Sequence, residues 1–210
     1  FAATLDRAGR DAMPPLAAGR RDGLPPLSFA QQRLWFVSRF DAAASAAYHV
    51  PVALRLTGRL DRTALASALM RLVDRHEALR TRFVEIDGEP RQHVVAANES
   101  GFALIEHDVS DAADPAGEYL RLAVQTEQVP FDLATGPLIR AALVQESEDV
   151  HVLLVVQHHA VTDGWSLGIL LDELGVLYGA CRDARPDPLP PPPVQYADYA
   201  LWQRRWVGSG

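Results

Sequence analysis

The chain is short of cysteine, of basic charge and of long apolar runs, and each shortage narrows what it does. Cys181 is its only cysteine, so no internal disulfide forms and a reducing compartment is the simpler setting. Arg and Lys number 20 against 27 Asp and Glu, a net charge of −7. That balance argues against a nucleic-acid binder, whose affinity rests on a basic face. No apolar stretch reaches the ~20 residues that span a bilayer, so no membrane segment is expected. The opening FAATLDRAGRDAMPPL has neither an initiator Met nor the apolar stretch of a secretory signal. The expectation is a cytoplasmic chain that starts inside a longer sequence. What is present is ample: 210 residues, 48% hydrophobic and 22% charged, the composition of a globular chain with a self-supporting core.

Proline and glycine divide the sequence into three parts. Residues 1–25 are Ala/Arg/Asp-rich and then Pro/Gly-rich, with Pro14-Pro15 and Pro25-Pro26 preventing a continuous helix; residues 1–10 resemble the last turns of a helix. Residues 26–182 carry dense hydrophobic periodicity and form the expected folded body. The run PDPLPPPP at 186–193 is an extended, semi-rigid spacer, after which 194–206 resume helical spacing.

Within the body, Ser28 with Gln31 three residues on reads as a capping box opening a helix to residue 40. Residues 49–57 read as a strand and 60–79 as the clearest helix, with Leu65, Leu69, Leu72, Val73 and His76 on one face. Residues 81–86 and 91–95 flank Asp87-Gly88, a hairpin signal. Residues 102–109 are strand-like, and Pro115 opens a helix to 129. Residues 138–146 and 150–158 form a second hairpin, and 165–178 a helix. Hairpins mixed with helices predict an α+β fold, a mixed sheet flanked by helices.

The stretch VHVLLVVQHHAVTDGWS at 150–166 concentrates the chemistry. An apolar strand delivers His158 and His159 to its end, and strand alternation sends the two rings to opposite faces. Asp163-Gly164 then turns into a helix whose start supplies free N–H groups. A histidine there suits a general base, being mostly neutral at pH 7 with an ordinary pKa of ~6.5. On residue types alone, a packing role for such a pair is the commoner explanation. No metal is expected, because adjacent strand residues diverge and no further ligand follows. Ser166 lacks the G-x-S-x-G setting of a triad nucleophile, and Gly164 with Gly168 makes no phosphate loop.

Four strings resemble, in order, the motifs of condensation domains from non-ribosomal peptide synthetases: PLSFAQQRLWF (26–36), RHEALRTRF (75–83), HHAVTDGWS (158–166) and YADYALWQ (196–203). PFDLATGPLIR (130–140) also looks like a family segment. The resemblance implies one chloramphenicol-acetyltransferase-like lobe of a two-lobed domain. Residues 1–25 would be the end of an upstream carrier domain and its linker, 26–182 the N-terminal lobe, and 183–210 the crossover toward a second lobe. The Gly-Ser-Gly finish fits a chain cut from something longer.

By the same resemblance the reaction is amide formation between a donor thioester and an acceptor α-amine, each tethered by phosphopantetheine to a carrier domain. The partners are thus upstream and downstream carriers and the second lobe, with no cofactor held by the chain itself. His159 becomes the active-site histidine, His158 its support, Asp163 a structural anchor and Gly164 a point of close backbone approach. Trp165 and Ser166 are expected at the substrate. Ser28, Gln31, Arg33 and Trp35 are assigned to cap and core, and Arg75, His76, Glu77 and Arg80 to a charged helix end. Arg80 is a candidate charge partner for Asp163, a residue of the second lobe being the alternative, and with such a partner the change of Asp163 to Asn is expected to cost folding more than chemistry. The aromatic stripe Tyr196, Tyr199, Trp202 and Trp206 is expected as an exposed patch. An epimerisation domain, a CoA-type acyltransferase of the same superfamily, and an inert carrier-docking lobe are the competing readings.

Overall fold

The computed structural model describes residues 14–40 and 45–207; the helix expected over residues 1–10 lies outside them. The longest apolar run becomes the centre of the fold. Strand β6 (Val150–His158) is buried almost throughout, which demands cover on both faces. It pairs antiparallel with β1 (His49–Thr57) on one side and β5 (Ile139–Ser147) on the other, and β5 pairs parallel with β4 (Leu104–Asp108). The sheet is therefore mixed, in the order β1-β6-β5-β4. A separate hairpin joins β2 (Thr81–Ile86) to β3 (Glu89–Val94). Its turn holds Asp87 and Gly88 at φ of 53° and 80°, the left-handed pair that matches strand twist.

Helices α2 (Arg62–Arg75) and α4 (Gly164–Arg182) cover one face, where Leu69, Leu72 and Leu177 meet Ile139, Leu153 and Val155. Helix α3 (Pro115–Gln128) covers part of the other, packing Leu122 on Ala142, Val144 and Leu154. Helix α1 (Phe29–Phe40) opens with a reciprocal cap: the Gln31 N–H donates to Ser28 Oγ and the Ser28 N–H to Gln31 Oε1, both at 3.1 Å. Helix α5 (Tyr196–Val207) lies across this start. Arg204 reaches the Leu27 carbonyl at 2.8 Å and Ser28 Oγ sits 3.0 Å from Tyr196 Oη. Among the described residues no helix is long and apolar enough to cross a membrane.

The one long helix expected over 60–79 is two pieces. Helix α2 ends at Arg75, His76 is extended, and a 3₁₀ turn runs over Glu77–Arg80. The break has a polar cause. Arg75 Nε and His76 Nε2 converge on Glu173 at 3.0 and 2.5 Å, and Arg21 joins Glu77 and Asp198 at 2.5 and 2.9 Å. Gln195 accepts the Glu77 N–H and donates to the Arg75 carbonyl. His76 is thus a half-buried link in a network and not part of the apolar stripe, and the charges do more than oppose the dipole. The aromatic stripe is also more covered than expected. Its rings pack in sequence with centroids 5.4 to 5.9 Å apart, and Trp202 donates to the Pro14 carbonyl; of the four, only Trp206 is exposed. Arg33 is exposed and does not join the core.

Leu72 is fully buried between α2 and the sheet. Leu72→Ala is expected to lower stability by about 2–5 kcal/mol through lost burial and a residual cavity, read as a fall in the urea midpoint at unchanged slope.

Candidate active site

The last residue of β6 and the first beyond it meet opposite surroundings. His158 is fully buried, against Phe131, His49 and Tyr48 at ring distances of 6.0, 6.3 and 6.4 Å. Its Nδ1 accepts the Ala160 N–H at 3.1 Å, so the proton of the neutral ring sits on Nε2, 3.5 Å from Ser45 Oγ. Burial, with smaller contributions from His49 and His159, pushes its pKa down to about 4; it stays neutral at working pH.

His159 is exposed, and its backbone N–H is pinned to the Tyr48 carbonyl at 2.8 Å. Its Nδ1 lies 2.7 Å from the Thr162 carbonyl. A carbonyl only accepts, so Nδ1 carries the proton and the Nε2 lone pair is left outward. The two neighbouring rings therefore hold opposite tautomers, each fixed by a backbone group within three residues. Nε2 of His159 has no hydrogen-bond partner among the described residues, which is the condition a base needs.

The turn beyond is locked by Asp163, the N-cap of α4. Its carboxylate accepts from the Ser166 N–H and Oγ, both at 2.7 Å, and these bonds hold its pKa below the usual carboxylate range. Gly164 is the first helical residue, with no positive φ, and a methyl group there would meet nothing within 4 Å. No special backbone angle requires glycine here, and the space over the helix start is open. Trp165 is 83% exposed. Ser166 bonds Asp163 and also lines a cleft with Thr162.

Two expectations change here. Arg80 does not pair with Asp163: its guanidinium bonds the carbonyls of Asp74 and Val95 at 3.2 and 2.6 Å. Asp163 acts as a cap, a role that Asn fills about as well, so the folding cost assigned to Asp163→Asn is small in this chain. Sequence reasoning also missed His49, which sits opposite His158 in the β1–β6 register and donates from Nδ1 to the Glu127 carbonyl. β1 and β6 lie far apart in sequence with no turn between them to set their register, so nothing local announced the pairing. Glu173 and Asp198 were missed too, although Asp198 stands inside the quoted YADYALWQ string. Among the described residues no three His, Cys, Asp or Glu side chains gather to hold a metal.

Comparison with known proteins decides the family. The model of the condensation domain family matches residues 22–209. The chain belongs to the condensation domain family. It is 46% identical to malpinin synthetase of Mortierella alpina over 189 residues, covering 90% of this chain and 2% of that protein. It is 43% identical to isonitrile lipopeptide synthase of Mycobacterium tuberculosis over 203 residues, covering 96% of this chain and 8% of the relative. The X-domain from teicoplanin biosynthesis superposes with a TM-score of 0.80 at 35% identity, over 93% of this chain and 41% of that one. The chain thus spans only a few per cent of these curated relatives and about two fifths of that solved structure. The fold is chloramphenicol-acetyltransferase-like and α+β, a mixed sheet with helices on its faces.

A histidine whose folded pKa is depressed binds its proton later than the unfolded chain does. Stability from His158 is therefore intact above its ordinary pKa of ~6.5 and falls as pH drops toward about 4. The full loss is about 3 kcal/mol. Urea midpoints measured across this window should show the fall, and His158→Asn should flatten it. At the cap, Asp163→Ala is expected to cost ~1 kcal/mol and Asp163→Asn under half of that, by the same measurement.

Proposed function

We propose that the condensation-domain lobe joins a donor peptidyl or acyl thioester to the α-amine of an acceptor aminoacyl thioester, with His159 as the group that meets the amine. The single observation supporting this is the fixed tautomer: Nδ1–H is committed to the Thr162 carbonyl and Nε2 is exposed with its lone pair free. The acceptor amine, with an ordinary pKa near ~8, is largely protonated at neutral pH and needs a base or a stabiliser of its developing charge. In the reaction the amine nitrogen attacks the thioester carbonyl, the C–N bond forms and the C–S bond breaks. Nε2 takes the proton that the nitrogen sheds and hands it to the departing sulfur, which leaves as the thiol of the donor arm. Thioesters are reactive already, so holding both arms in register contributes alongside the base.

The remaining roles follow from position. The N–H at Gly164, at a helix start with open space over it, suits a developing oxyanion. Trp165 and Ser166 stand where an incoming substrate passes. Residues 26–182 are read as the N-terminal lobe, residues 1–25 as the linker from an upstream carrier, and 183–210 as the crossover to a second lobe. Upstream and downstream carriers bring the phosphopantetheine arms as parts of the substrates. The lone Cys181 is consistent with a cytoplasmic setting.

Single-turnover condensation by the full-length protein between two loaded carrier domains tests the reading. His159→Ala is expected to slow amide formation by ~10²–10⁴-fold while leaving the unfolding free energy from urea titration within about 1 kcal/mol of the parent, since one part-buried hydrogen bond is lost. Near-normal turnover by this variant contradicts the role. Carrier binding without any turnover by the parent protein favours a docking lobe instead.

A further inference from the structure

A cleft of about 170 Å³ opens beside the His159 turn, between the start of α4, the 3₁₀ turn and the crossover ahead of α5. Leu79, Val161, Ile169, Leu170 and Val194 give it apolar walls. Its other polar neighbours are engaged elsewhere: His76 with Glu173, Tyr196 with Ser28, and Gln195 with Arg75 and Glu77. Gln157 differs. It lines the cleft at 1% exposure, and neither its amide nitrogen nor its amide oxygen has a hydrogen-bond partner. Buried amides are normally paired, so an orphan on a cleft wall points to a group that completes it. The terminal torsion of glutamine is soft, so the amide can orient its donor or its acceptor toward a bound group.

The cleft is contiguous with the candidate active site. Gln157 precedes His159 by two residues, on the side of the strand opposite His158. Thr162, whose carbonyl fixes the His159 ring, lines the same cleft. The volume suits one amino-acid side chain and is short for an extended carrier arm. Apolar walls take the methylene stem, and a carboxamide end offers the acceptor and donor that match a glutamine amide.

We infer that this cleft receives the side chain of one condensing aminoacyl group, and that Gln157 selects a side chain ending in a carboxamide. The inference rests on the amide-forming reading above and names the substrate class of that site. Donor and acceptor side chains share this chemistry, so the test separates them.

Calorimetric titration of the full-length protein with unreactive, amide-linked pantetheine conjugates of glutamine and of homoleucine, its apolar near-isostere, reads the selectivity without turnover. N-acetylated conjugates mimic the donor and free-amine conjugates the acceptor. The parent protein is expected to bind the glutaminyl conjugate about tenfold more tightly than the homoleucyl one in one of the two forms. That form identifies the source. Gln157→Met is expected to bring the ratio to about one with homoleucyl affinity unchanged, and Gln157→Leu provides a second apolar variant. A ratio near one in the parent, an unchanged ratio in both variants, or no binding of either conjugate overturns the inference. Because no turnover is read, its failure is distinct from an unaffected His159→Ala rate.

Discussion

The geometry of the candidate site depends on one hydrogen bond, from His159 Nδ1–H to the Thr162 carbonyl at 2.7 Å. It fixes which nitrogen of an exposed ring keeps its lone pair, and it does so with a backbone group that cannot reverse roles. The bond requires the chain to leave β6 and double back within three residues. That return is held by the buried His158, which accepts the Ala160 N–H, and by Asp163, which caps α4. A neutral buried imidazole and an exposed carboxylate thus serve one end, the orientation of the ring between them. The same logic explains why His158 is a histidine: its side chain supplies an acceptor at one nitrogen and a donor at the other in a wholly buried place.

A second constraint sets the frame around the turn. The polar network of Arg75, His76, Glu77 and Glu173 ends α2 early and ties the Pro-rich segment ahead of α5 to the body through Pro190 and Gln195. Arg21 and Asp198 extend it to the segment ahead of α1 and to α5. A string that reads as a charged helix end is therefore a clamp on the segments leading away from the sheet. Its members are half-buried and mutually bonded, the setting in which ion pairs hold geometry better than surface pairs do.

Much of the fold was legible because its signals are local. The capping box at Ser28 and Gln31, the Asp87-Gly88 turn and Pro115 at a helix start each mark a boundary by chemistry within four residues. The unbroken apolar run of β6 announced a strand covered on both faces. What stayed hidden depends on distant partners. The break at His76 follows from Glu173 nearly a hundred residues on, and the missed role of His49 follows from strand register. Arg80 and Asp163 carry opposite charges, yet backbone carbonyls and Ser166 take their bonds instead. In the candidate site, residue identity was readable from the motif; tautomer, capping role and the orphan Gln157 amide needed three dimensions.

Long-range proton–nitrogen NMR of protein labelled with ¹⁵N-histidine, at neutral pH, tests the central claim most directly. The structure predicts that the neutral His159 ring carries its proton on Nδ1 with Nε2 bare, beside a His158 protonated at Nε2 with Nδ1 bare. A His159 found protonated at Nε2, or averaging between tautomers, contradicts the account.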